Sequence, residues 1–490
     1  MTKLADLVPE FKDILERYSR EDFVPGVSLA VRVGDEVVEC ASGVLNLNTG
    51  VEVTPDSLFQ IGSITKTFTA TLVMQLVDEG LVDLDRPVRT YVPEFFVTDR
   101  EAAETVTVRQ LLCHTGGFDG DVFDDFGRGD DAVARYVEAL KDRDQVFPPG
   151  RMFSYCNSGF SVLGRLVERV RQLPSWDAAL RKHLIEPLGL AHTVTLAEEA
   201  IMFRAAVGHV DGEGENVAEQ RVAPSWQSPR SCAPAGATPC ASARDLVDWA
   251  GFHLSGGLAP DGTRVLSAES AAAMLEAQTV LPDFGEDVAS TAWGLGWELT
   301  ELKGGRVFGH AGGTLGQASL LEVAPDSGVA FAVLTNGGEP TRLMHAVRSR
   351  VFGESAGIEV LRLPEPPSPA IEVDPRRFVG RYQTVGAYYD VKQDAEGGLV
   401  VEIGLRGALQ EIRKEEPTTH RLTGFSPTVL IQREPARGVS WRLAFPEADA
   451  DGRAPYMYPG VRAAIRVDDT QSLAHRRFVS SSASAGGLAQ

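Results

Sequence analysis

A serine and a lysine three residues apart, Ser63 and Lys66, stand where Phe59-Gln60-Ile61-Gly62 gives way to an apolar run, Phe68 to Val77. On a helix that spacing brings the two side chains to one face, one turn apart. A helix that is apolar nearly all round buries its lysine, and burial favours the neutral amine. Such an amine takes the proton of a neighbouring hydroxyl and leaves its oxygen a nucleophile. About one S-x-x-K arises by chance in a chain of this length, so the pair gains its meaning from its company. Phe153-Ser154-Tyr155-Cys156-Asn157 follows the turn-rich Phe147-Pro148-Pro149-Gly150 and precedes a helix, which puts a phenol and a carboxamide on one loop. These two groups suit a proton relay and a carbonyl-orienting role. The third piece, Gly309-His310-Ala311-Gly312-Gly313, leads into a strand starting near Gln317. Its glycines let a substrate lie along a strand edge, and the Gly313 N–H can join that of Ser63 as an oxyanion hole. Taken singly, each piece also reads as packing: Tyr155 as a core aromatic, His310 as a structural imidazole, the glycines as a plain turn.

The elements that must position these residues follow from periodicity. Val27, Leu29, Val31 and Val33 alternate, then Gly34-Asp35 turns the chain into Val37-Val38 and Cys40, an antiparallel hairpin. A second strand pair, Ala318–Val323 and Val329–Leu334 around the turn Pro325-Asp326-Ser327-Gly328, precedes a helical stretch from Thr341 to Val351. Between the pairs, helices are expected at Lys66–Glu79, Val108–Leu112, Asp131–Leu140, Ser158–Arg171 and Ala243–Leu254. Ahead of them, Leu4, Leu7, Val8, Phe11, Ile14, Leu15 and Tyr18 mark an amphipathic opening helix rather than a signal peptide. The order sheet, helices, sheet predicts an α/β (α+β) fold: one antiparallel sheet flanked by helices and completed from both ends, beside an all-helical subdomain.

Four prolines within Leu363–Pro369 make a stiff linker and a domain boundary. The domains are therefore read as 1–362, a linker at 363–370, a small β-sandwich or barrel at 371–470, and a Ser-, Ala- and Gly-rich loose tail at 471–490. Strand-like runs fall at Tyr388–Gln393, Leu399–Leu405, Thr428–Gln432 and Trp441–Phe445.

Composition narrows the function classes. The 490 residues are 43% hydrophobic and 23% charged, values of an ordinary globular chain long enough for two or three domains. A formal charge of −21, from 47 Lys and Arg against 68 Asp and Glu, repels phosphate backbones and anionic lipid, so nucleic acid and membrane are not expected partners. With no membrane span read, the expected location is cytoplasmic. The five cysteines, Cys40, Cys113, Cys156, Cys232 and Cys240, form no C-x-x-C pair and read as small core residues, neither a disulfide framework nor a zinc knuckle. Asp119, Asp121, Asp124, Asp125, Asp130 and Asp131 crowd one stretch, which as a cleft rim would draw in cationic substrates and as a plain surface would only be solvated.

Taken together in this order, Ser63-x-x-Lys66, Tyr155-x-Asn157 and His310-x-Gly312 resemble the penicillin-recognising serine enzymes, the branch holding class C β-lactamases, DD-peptidases, D-aminopeptidases and related esterases. Val108–Gly117 is similar to that branch's L-L-x-H-T-S-G segment, and Ala241–Leu246 to its S-T-x-x-D-L helix start. The resemblance spans about 20 to 350 and implies that Ser63 becomes acylated, Lys66 shares the activating proton and Tyr155 serves the leaving group. It further implies that Asn157 orients the substrate amide or the lysine, and that the Ser63 and Gly313 backbone holds the oxyanion. Neither a metal ion nor a cofactor has a part in that scheme. His310 stands where many members carry lysine. A histidine is mostly neutral near pH 7, so carboxylate-bearing β-lactams lose favour to esters or amides. Phe378-Val379-Gly380-Arg381-Tyr382 resembles the F-x-G-x-Y opening of a lipocalin-like domain appended to some D-aminopeptidase and esterase relatives, where the barrel packs beside the active site and narrows it.

The leading expectation is an acyl-enzyme serine hydrolase acting on a small-molecule or peptide ester or amide. One alternative passes the acyl group to an amine, as peptide-cyclising thioesterases of the penicillin-binding-protein type do. The other keeps the fold as a non-catalytic binding protein.

Overall fold

The computed structural model describes residues 3–467, apart from 213–217, 286–290, 407–409, 411–415 and 436–437. The tail expected at 471–490 lies outside the described residues, as do the last positions of the second domain. Strands β1 (Gly26–Val33), β2 (Glu36–Asn46) and β3 (Val51–Glu52) open one sheet; β4 (Thr279–Val280), β5 (Ala292–Trp293), β6 (Glu298–Leu302), β7 (Gly305–Thr314), β8 (Gln317–Ala324) and β9 (Val329–Thr335) complete it. The order is β3-β2-β1-β9-β8-β7-β6-β5-β4, antiparallel throughout, so the two expected hairpins meet at the β1–β9 seam, where Leu29 faces Val333. β9, Val-Ala-Phe-Ala-Val-Leu-Thr, is buried along its whole length, as a central strand covered on both faces must be. Strands β3 to β7 were not expected: β3, β4 and β5 pair over two residues each, too short to show alternation, and Gly309 to Gly313, expected to lead into a strand, lie within β7, whose four glycines hide its periodicity.

Helices α1 (Val8–Glu21), α2 (Thr65–Asp78), α3 (Asn157–Arg171), α4 (Ala243–Leu254) and α5 (Thr341–Ser355) match the expected ones to within a few residues. The two shorter helices expected between α2 and α3 form as Val108–Leu112 and Ala132–Ala139. On one face of the sheet, Phe11 and Leu15 of α1 and Leu343, Val347 and Val351 of α5 pack with Val27, Leu29, Val31, Phe331 and Val333. The opposite face, with Ala30, Leu321, Val323, Ala332 and Leu334, receives α2 and α4 and runs on into the helical subdomain around Phe160 and Trp176. All five cysteines are buried and free.

After the proline-rich segment, an eight-stranded antiparallel sheet forms from β10 (Gly380–Gln383), β11 (Ala387–Gln393), β12 (Leu399–Leu405), β13 (Thr418–Ser426), β14 (Val429–Gln432), β15 (Arg442–Ala444), β16 (Tyr456–Met457) and β17 (Ala464–Val467). Its order is β15-β14-β13-β12-β11-β10-β17-β16. Ala444 and Tyr458 exchange both backbone hydrogen bonds, 3.0 and 2.8 Å, and so bring the two ends together into a barrel-like ring. The F-x-G-x-Y residues are structural: Phe378 and Tyr382 lie in the barrel core, and the Tyr382 hydroxyl donates to the Phe378 carbonyl at 3.0 Å. Only four of the eight strands were expected, since β13 is rich in polar residues and β10, β16 and β17 are four residues or fewer.

Candidate active site

Ser63 occupies a short 3-10 turn, Gly62–Ile64, that runs straight into α2. Twelve successive residues of α2, Thr65 to Leu76, are buried, and Lys66 has no exposed surface. Its Nζ contacts Ser63 Oγ at 2.9 Å and donates to the Ala235 carbonyl at 2.5 Å. Burial, and next the Arg462 cation, hold the Lys66 pKa well below its ordinary value. The amine also stands 4.9 Å from the centre of the Tyr155 ring.

Tyr155 is likewise buried; burial raises its pKa well above the ordinary tyrosine value, and Ser63 offsets part of that rise. The loop that carries it is pinned from both sides. From the hydrolase, the His114 ring nitrogen Nδ1 accepts the Cys156 N–H at 3.0 Å, the His114 carbonyl accepts the Ser154 N–H at 2.9 Å, and the imidazole stacks on the phenol with centroids 4.2 Å apart. From the barrel, the Val461 carbonyl accepts the Tyr155 N–H at 2.9 Å and the Tyr458 hydroxyl donates to the Phe153 carbonyl at 2.6 Å. One apolar cluster, Phe147, Phe153, Tyr155 and Trp293 with Val429, Tyr456, Tyr458 and Ile465, spans the two domains.

Asn157 is the first residue of α3, where Cys156 Sγ caps the helix by accepting the Gly159 N–H. Its amide donates to Asp121 Oδ1 at 3.1 Å, and Asp121 in turn pairs with Arg462 of the barrel, Nε to Oδ2 at 2.6 Å. The acidic stretch is therefore no free anionic rim. Asp121, Asp124, Asp130 and Asp131 pair with Arg462, Arg143, Arg230 and Arg135, Asp125 accepts the Gly127 N–H, and Asp119 is buried.

His310 and Gly312 lie on β7, whose end runs beside the Ser63 turn. A Cβ on Gly312 would come 2.1 Å from the Ile61 carbonyl oxygen, and one on Gly62 2.5 Å from the Gly313 nitrogen. Gly312 thus serves the close approach of strand to nucleophile turn. A Cβ on Gly313 meets nothing within 4 Å and would project into open space. His310 is 3% exposed, with Nδ1 2.5 Å from the Ala311 carbonyl oxygen; burial and then Lys66 lower its pKa to about 3.

Ser63, Tyr155, Asn157, His310, Gly312 and Gly313 all line one cleft of about 370 Å³, with Lys66 beneath Ser63. The three distant stretches converge as expected. Arg462, Trp293, Ala235, Gly236 and Ala237 also line the cleft and were not anticipated. No short motif marks them; the sole pointer was the expectation that the barrel narrows the site. Among the described residues, no group of three or more His, Cys, Asp or Glu could hold a metal ion, and no helix is long and apolar enough to cross a membrane.

Known proteins agree with this geometry. The family model described as Beta-lactamase matches residues 11–352. Penicillin-binding protein 4 of Amycolatopsis lactamdurans is 46% identical over 367 residues, which is 75% of this chain and 95% of that protein. The solved structure of SurE superposes with a TM-score of 0.71 at 27% identity, covering 95% of this chain and 100% of that one. D-amino acid amidase from Ochrobactrum anthropi SV3 aligns over 70% of this chain and 99% of its own, with a TM-score of 0.57 and 25% identity. A serine in contact with a buried lysine at the start of α2, beside this sheet and within this family match, makes the chain a serine hydrolase that belongs to the Beta-lactamase family.

Proposed function

We propose that the protein hydrolyses an ester or amide through an acyl-enzyme on Ser63, with a D-configured residue next to the scissile carbonyl. The observation that carries this reading is the 2.9 Å contact between Ser63 Oγ and a fully buried lysine amine. One amine hydrogen goes to the Ala235 carbonyl, which leaves the lone pair of the neutral amine for the Ser63 hydroxyl. Ser63 Oγ bonds to the carbonyl carbon while its proton passes to Lys66. The oxyanion is received by the backbone N–H groups of Ser63 and Gly313. Tyr155, whose proton is held tightly at rest, gives it to the leaving oxygen or nitrogen and regains one from the Lys66 ammonium. Water then attacks the acyl carbon: Tyr155 passes its proton to Lys66 and takes one from the water, the bond to Ser63 Oγ breaks, and that oxygen regains its proton from the Lys66 ammonium. Asn157, fixed by Asp121, orients the substrate carbonyl or amide.

Support for the D-residue comes from the neighbours: one carries D-amino acid amidase as its name, and SurE was also solved with D-Leu. Substrate and location are proposed as a small molecule or peptide met in the cytoplasm. A fluorophosphonate probe tests the nucleophile: label is expected on Ser63 and absent from Ser63→Ala, and label persisting in that variant would overturn the assignment. A panel of D- and L-residue esters and amides, each with and without a competing amine, tests the rest. Hydrolysis products support the proposal, amide products favour the acyl-transferring alternative, and a labelled protein that turns nothing over favours the binding protein.

A further inference from the structure

Glu298 opens β6, half-buried, and is the sole Asp or Glu among the described residues that line the cleft. Among the described residues no hydrogen bond or ion pair engages its carboxyl group, and its charged neighbours are Glu322 and Arg348. The strand register explains why. On β5 the residue directly opposite is Trp293, buried and uncharged; on β7 it is Gly309, which has no side chain to offer. Next in that row comes Glu322 of β8, whose Cγ would stand 3.0 Å from a Cβ on Gly309. Glu322 already takes the local cation, pairing with Arg348 Nε at 2.8 Å. The one Arg or Lys among the described lining residues, Arg462, is held by Asp121. Burial, and next Glu322, raise the Glu298 pKa to about 7, with Arg348 offsetting part of the rise. A cation brought beside this carboxyl opposes both effects: it favours the ionised form and supplies the hydrogens its oxygens lack.

We propose that Glu298 makes the cleft selective for substrates that carry an ammonium group, which its carboxylate receives as the substrate binds. This deepens the acyl-enzyme reading and rests on it for what enters the cleft. A neutral isostere leaves the carboxyl unmatched. An anionic one adds a like charge to a site that already faces Glu322.

Calorimetry on Ser63→Ala protein near pH 7 tests this without turnover, since amines are then largely protonated. Two ligand pairs contrast an ammonium with a neutral group: D-phenylalaninamide against its N-acetyl form, and N-acetyl-D-lysinamide against N-acetyl-D-norleucinamide. In at least one pair the ammonium ligand is expected to bind about tenfold or more tighter. That advantage should vanish in Ser63→Ala/Glu298→Gln, which keeps the shape and loses the charge, and persist in Ser63→Ala/Glu298→Asp. No advantage in either pair, or one that survives the glutamine, would overturn the inference. Should the glutamine variant bind neither member, the aspartate variant decides: an advantage kept there supports the site, and one lost there overturns it. Fluorophosphonate labelling of wild-type Ser63 reads the acyl-enzyme step apart from these ligands, so the two failures are distinguishable.

Discussion

Arg462 of the barrel and Asp121 of the hydrolase meet through two contacts, Nε to Oδ2 at 2.6 Å and Nη2 to Oδ1 at 2.8 Å, and Asp121 passes that restraint on to Asn157. The second domain thereby holds a residue of the cleft in place, while its cation stands 5.2 Å from the Tyr155 ring centre and disfavours a charged Lys66. Replacing Arg462 with Met is expected to lower kcat/KM about 10- to 100-fold, the scale of a small misplacement of a site group. It should also move the acid limb of the pH profile upward, because removing a nearby cation lets Lys66 hold its proton to higher pH. Measured kcat/KM against pH for Arg462→Met and Arg462→Lys checks both effects; an unmoved limb with normal rates would leave the barrel no part in the site.

The pH profile of the wild type has a direction of its own. With Lys66 as the proposed base, the rate is expected to follow its neutral fraction, so kcat/KM should rise as pH increases through a pKa held well below the ordinary lysine value. Tyr155 keeps its proton beyond the ordinary tyrosine range, so the alkaline fall comes late. An acid limb near the ordinary lysine pKa, seen with a neutral ester, would contradict a desolvated amine.

Adjacent glycines of β7, Gly312 and Gly313, predict different outcomes for stability. Gly312→Ala drives a methyl group into the Ile61 carbonyl and is expected to cost about 1–3 kcal/mol and to weaken Ser63 labelling. Gly313→Ala meets no atom within 4 Å and should leave Tm within about 1 °C of the wild type. Thermal unfolding of the two variants side by side separates a packing role from an open one.

Tyr458→Phe removes the donor to the Phe153 carbonyl and leaves that buried oxygen unmatched, at about 1–3 kcal/mol. Because Phe153 begins the Tyr155 loop, kcat is expected to fall together with Tm. Calorimetry beside steady-state kinetics reads both, and a lowered Tm with an intact kcat would confine the barrel contact to stability.

Much of this protein is local and was therefore readable in order. Ser63 and Lys66 lie one helical turn apart, α2 is apolar nearly all round, and α4 forms where a helix was expected at Ala243–Leu254. Short strands such as β16 carry too few residues for a periodic signal, and their pairing depends on partners far along the chain.

The order of residues established which chemical groups are present and, in part, on what local elements: a serine before a buried helix, a tyrosine on a loop, a histidine in a glycine-rich segment that the fold turned out to place on a strand. What faces those groups was settled by the packed molecule. Arg462 reaches Asp121 across 341 positions of sequence, and Gly312 owes its missing side chain to Ile61. A side chain's charge and room are set by desolvation and by close neighbours, and those neighbours come from distant stretches brought together by packing.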